Sequence, residues 1–115
     1  MPNFTEAAGR TVAADIQTVF ASFDGSLLDA SRLTISFMEG LQGSRLHPAR
    51  AQRVLDHFAA SFAGMVQSRK DMVSAHLQLI AIKNESNLKV HDFGCTEGPL
   101  WAQLRDAEQM EEARD

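Results

Sequence analysis

A chain of 115 residues, 44% hydrophobic and 23% charged, can close one core and not two. Its single cysteine excludes an internal disulfide framework, and no apolar run approaches the ~20 residues of a membrane span. The net charge of −4 resides in the tail, because residues 1–96 carry nine basic and nine acidic side chains while residues 97–115 carry six acids and two arginines. A neutral body with an acidic tail excludes the phosphate neutralisation on which nucleic-acid binding rests. It also lacks the Lys/Arg face expected at an anionic membrane. The opening "MPNFTEAAGR" has neither the basic nor the apolar region of a secretory signal. The cytoplasm is the expected compartment.

The first element is a helix over about residues 5–42. Ile16, Phe20, Phe23, Leu27, Ala30, Thr34, Phe37 and Leu41 recur in alternating steps of four and three, the repeat of a coiled-coil seam, with only Thr34 polar. "SFDGSLLD" carries a turn signal at Asp24-Gly25 and an N-cap-like Ser26, which would split the helix. The heptad phase is unbroken from Phe23 to Leu27, and one helical glycine costs only ~1 kcal/mol. A continuous, kinked helix is therefore expected.

"QGSRLH" reads as the bend. Gly43 suits a left-handed helix end, Pro48 the first position of the next helix, and His47 or Ser44 its N-cap. Arg45, His47, Arg50 and Arg53 around a helix N-terminus form a candidate anion site. No phosphate-loop or dinucleotide glycine pattern accompanies them, so the segment reads first as a connection between antiparallel neighbours.

The second helix covers about residues 48–84, with Ala51, Leu55, Phe58, Phe62, Met65, Arg69, Met72, His76 and Leu79 as its stripe. Helices of this length extend about 55 Å at 1.5 Å per residue. Pairing positions that sum to 92 puts Phe37 by Leu55, Thr34 by Phe58, Arg69 by Phe23 and Asp24, and His76 by Ile16 and Asp15. Each interior polar residue then has a carboxylate near it, as a buried charge requires. Arg69, His76, Asp15 and Asp24 are accordingly candidate ligand-binding residues as well as candidate register pins.

Residues 85–98, rich in Asn, Ser and Gly, form a link to the C-terminal segment. Within it His91, Asp92 and Cys95 are the weak candidates for a metal, in a spacing that matches no zinc pattern, so none is expected. "EGPLWAQLRDAEQMEEARD" predicts a short acidic helix with Leu100, Trp101 and Leu104 on one side, a candidate partner-binding strip. No hydrolase elbow, metal-binding His-Glu-x-x-His or paired nucleophile and base is present, and no cofactor is implied.

Both long helices carry a second apolar stripe. On the first it is Val12, Val19, Leu28, Ile35 and Met38; on the second, Val54, Val66, Val73, Leu77 and Ile80. A lone hairpin covers one stripe per helix. The expectation is an all-α protein: a long antiparallel helical hairpin (residues 1–96) with a C-terminal acidic helix or tail (97–115), dimerising into a four-helix bundle. The expected function is a non-enzymatic interaction or regulatory adaptor that works through its helix faces as a homodimer and on a further protein partner. Two other classes fit the pattern: a binder of small anions in the bundle core, and an amphipathic coat for a lipid or polymer surface.

Overall fold

The computed structural model describes residues 1–92 of the chain. It is all-helical, two long helices in a hairpin: α1 (Glu6–Leu41) and α2 (Pro48–Asn84). The proposed boundary at 96/97 and the tail residues Leu100, Trp101 and Leu104 lie outside the described residues, as does Cys95.

Local chemistry sets every helix end. Thr5 opens α1 by accepting the Ala8 N–H on its hydroxyl at 3.1 Å, and Glu6 follows in the first turn, where a carboxylate complements the helix dipole. Gly43 closes α1 at φ 73°, and the Ser44 N–H donates to the Leu41 carbonyl at 3.2 Å. His47 is the N-cap of α2: its Nδ1 accepts the Ala49 N–H at 3.0 Å, and Pro48 takes the first helical position, where no N–H is needed. Arg45 also adopts a left-handed backbone, φ 63°, a conformation the sequence does not announce. At the far end of α2 the Ser86 hydroxyl donates to the Lys83 carbonyl at 2.7 Å and accepts the Leu88 N–H at 3.0 Å, which stops the helix.

α1 runs without a break through Asp24-Gly25. The competing turn fails because the Asp24 carboxylate is engaged elsewhere, accepting from Arg69 Nε at 2.7 Å. Gly25 sits in open space on the helix surface, so nothing there requires a glycine.

Contacts divide the chain into two units, Thr18–Met72 and Met1–Gln17 with Val73–Asp115. In Thr18–Met72 the inward stripe of α1, from Phe20 to Leu41, is half-buried throughout, and Ala51 of α2 is buried. The Phe37 and Phe58 rings meet edge to face, centroids 5.7 Å apart at 82°. Phe58 thus reaches Phe37, a turn beyond the Thr34 expected opposite it. Thr34 is short and returns its hydroxyl to the Ala30 carbonyl at 2.9 Å, leaving the space to the longer side chain. In the terminal unit Ala13, Ile16 and Leu88 are buried, together with His76 and Ser86. No large side chain among the described residues is fully enclosed, as two helices with one neighbour each would dictate.

Candidate functional site

Two features stand out, one in each unit. The first is the outward apolar face of Thr18–Met72. Leu28 and Ile35, one heptad apart on α1, are 51% and 58% exposed, and Met38 is exposed beside them. On α2 Phe62 and Val66 are exposed, interleaved with the small, exposed Ala59 and Ala63. Leu28, Ile35 and Met38 on α1 and Ala59, Ala63 and Val66 on α2 are displaced in the same rotational sense from the inward stripe of their helix, whereas Phe62, expected on that stripe, is 40% exposed. In an antiparallel pair, that sense brings both to one side of the hairpin. With Ser31 they form an apolar strip flanked by the charged Asp24, Arg32 and Lys70. Such a surface offers water few polar partners.

At the inner edge of the same unit lies the ion pair that the register expectation names within it. Arg69 donates Nε to Asp24 at 2.7 Å, and its guanidinium lies 5.4 Å from the centre of the Phe20 ring. Both partners keep substantial exposure, which limits such a pair to about 1 kcal/mol or less. It ties α1 to α2 at one level and keeps the guanidinium near the Phe20 ring.

The second feature is a half-open cavity of about 140 Å³ in the terminal unit. Its walls are Phe4 from the N-terminal strand of chain, Ala8, Gly9, Val12, Ala13 and Ile16 from α1, His76, Leu79, Ile80, Ile82 and Lys83 from α2, and Ser86 and Leu88 from the following turn. Gly9 and Ala13 continue the inward stripe of α1 by the same steps of four and three, but with small side chains, and the space they leave is the cavity. His76 is 3% exposed and lines it together with Ile16, the neighbour the register expectation gives it. Asp15, the carboxylate expected alongside, is exposed. The end of the unit is clasped by Asn87, whose side chain accepts from the Phe4 N–H and donates to the Phe4 carbonyl, both at 2.7 Å.

A small polar cluster decorates the outside of this unit. Arg10 bridges Glu6 at 2.5 Å, and His91 Nδ1 lies 3.8 Å from the same carboxylate. The hydrogen bond and charge of Arg10, with a smaller contribution from His91, hold the Glu6 carboxyl below its usual 4.5. His91 therefore faces a surface carboxylate. Among the described residues no three His, Cys, Asp or Glu side chains gather as metal ligands would.

Arg45, Arg50 and Arg53 are exposed. The backbone N–H groups that an anion would need are already used, since His47 takes that of Ala49 on its ring and those of Arg50 and Ala51 on its carbonyl, at 2.9 and 3.1 Å. No described helix is long and apolar enough to cross a membrane. Comparison with protein-family models, curated proteins and solved structures finds no match to the chain.

The Asn87 clasp and the Ser86 cap are the elements that sequence reasoning passes over. Their signal is the polar "NESN" after the last helical apolar residue, which reads equally well as a featureless link.

Proposed function

We propose that the protein is a non-enzymatic helical interaction module, of the adaptor or regulatory kind, that works as a homodimer through the outward apolar face of Thr18–Met72. The observation that carries this reading is the exposed strip of Leu28, Ile35, Met38, Phe62 and Val66. Two copies related by a twofold axis would place this strip against itself, so each side chain counts twice. Taking a Leu, Ile or Phe side chain fully out of water is worth roughly 1.5–3 kcal/mol. Ala59 and Ala63 leave room for a partner helix to approach between the larger residues, the alternation that close helix packing favours. The inward ion pair of Asp24 and Arg69 lies beside the strip rather than in it, so a dimer would not have to desolvate it.

Light scattering over a concentration series tests this reading, with circular dichroism on the same samples. The wild-type chain is expected at twice its chain mass, and Ile35→Glu at the monomer mass with its helical signal retained. A charge placed in a dry interface without a partner weakens association by about 100-fold or more. A wild-type monomer at all concentrations overturns the homodimer. If that monomer co-sediments with vesicles and Ile35→Glu does not, the strip serves a lipid surface instead.

A further inference from the structure

We infer that the cavity of the terminal unit is the docking site of the chain's own C-terminal segment, with the Trp101 indole as its occupant. This goes beyond the self-association proposed above and uses none of its residues. Size and polarity are the first support. At about 140 Å³ the space matches the roughly 150 Å³ of an apolar protein cavity that admits benzene. Apart from His76, Lys83 and Ser86, the described walls are apolar or glycine. The cavity is half-open, which suits an indole: its six-membered ring needs an apolar site, and its N–H needs a polar partner or water at the mouth.

The lining supplies the second support, because much of it is left to water. Phe4, Val12, Leu79 and Ile82 all line the cavity, and each is 39% to 45% exposed. Apolar side chains gathered around one opening offer more contact than a single ring can use. A helix with Leu100, Trp101 and Leu104 on one side matches that demand: the ring enters, and the two leucines lie on the apolar surround. Gly98 and Pro99 stand just before this trio and permit the chain to turn toward it.

The third support is where the described chain ends. Leu88 is buried in the wall, and His91 Nδ1 lies 3.8 Å from the Glu6 carboxylate. The chain therefore leaves beside the first turn of α1, next to Ala8 and Gly9 of the cavity. Trp101 follows nine residues after Asp92, a span that reaches about 30 Å when extended. The wall contributed by α1, from Ala8 to Ile16, is only about 12 Å long. A tether this short gives an effective concentration of about millimolar, which places the chain's own segment ahead of one from a second copy in dilute solution.

The test reads Trp101 in the full chain, where it is the only tryptophan and no tyrosine is present, so intrinsic fluorescence reports this residue alone. The wild-type emission is expected to be blue-shifted from that of the urea-unfolded chain, protected from acrylamide, and unchanged on dilution. Ala13→Leu fills the space and is expected to return emission and quenching to the unfolded values, with helix content kept. Should that variant fail to fold, nuclear Overhauser contacts of the indole ring with the Ile16 and Leu79 methyl groups of the wild type still decide. Their absence overturns the site. An exposed Trp101 overturns it as well, and a saturable shift of the same methyl groups by added benzene then gives the space to a small apolar molecule. Protection that disappears on dilution overturns docking within the chain and assigns the segment to a second copy. Ile35→Glu is expected to halve the mass in light scattering and to leave Trp101 protected, so the two proposals fail independently.

Discussion

The two units of this hairpin are built from one heptad pattern and differ in what occupies it. In Thr18–Met72 the inward positions hold Phe20, Phe23, Leu27, Phe37, Phe58 and Met65, and bulky side chains fill the seam. In the terminal unit the corresponding positions on α1 are Gly9, Ala13 and Ile16, and the seam opens into a cavity with His76 in its wall. Periodicity decides that a helix forms and which way it faces. Side-chain volume decides whether the faces close on each other or on something else.

Three changes probe that contrast, in decreasing order of effect. Phe58→Asp strikes the filled seam where two rings meet, and it removes aromatic packing while adding a charge. A loss of more than about 3 kcal/mol is expected, read as unfolding or dissociation by circular dichroism and light scattering. If helix content and mass both survive, the seam is not what holds Thr18–Met72 together. Gly25→Ala acts on the outer surface of the same unit, where a new methyl meets nothing within 4 Å. Thermal unfolding is expected to show a gain of about 0.5–1 kcal/mol, and a loss would mean that the backbone bends at this residue. The smallest effect belongs to the terminal unit, at Glu6. Its carboxyl is held below 4.5 when folded, so its contribution is present above 4.5 and disappears as the pH falls through the lower folded value. Urea midpoints of the wild type and Glu6→Gln should differ slightly at neutral pH and converge in acid. A constant gap at every pH would assign the difference to something other than charge.

Much of this architecture is legible in the residues. The helix spans expected at about 5–42 and 48–84 are found at Glu6–Leu41 and Pro48–Asn84. Gly43, His47 and Pro48 take the terminal roles that their backbone chemistry prescribes. The Asp24–Arg69 bridge follows from register alone, because a charge on an inward stripe needs a partner at the same level. The cavity is not legible, since small residues on a stripe say that space is available and not whether a neighbour fills it. The left-handed Arg45 is equally silent, as the conformation is imposed by joining two helices across six residues rather than by arginine itself. The outward strip is intermediate: Leu28, Ile35, Met38 and Val66 are marked as a second stripe in the sequence, yet Val54, Val73, Leu77 and Ile80 from the same set are half-buried within the described residues.

The Phe4–Asn87 clasp has a kinetic consequence. It joins groups 83 positions apart along the chain, against 45 for Asp24 and Arg69 and 21 for Phe37 and Phe58. Closing a longer loop from the unfolded chain is slower, but once the inner contacts exist each further turn adds to an already short gap. Such a molecule zips from its bend outward, and the clasp forms last. The reverse order governs fluctuation: the ends part first, while the seam around Phe37 and Phe58 stays shut. Amide hydrogens around Phe4 and Asn87 should then exchange well ahead of those flanking Phe58. The cavity beneath the clasp would have a way in and out that does not require the protein to unfold.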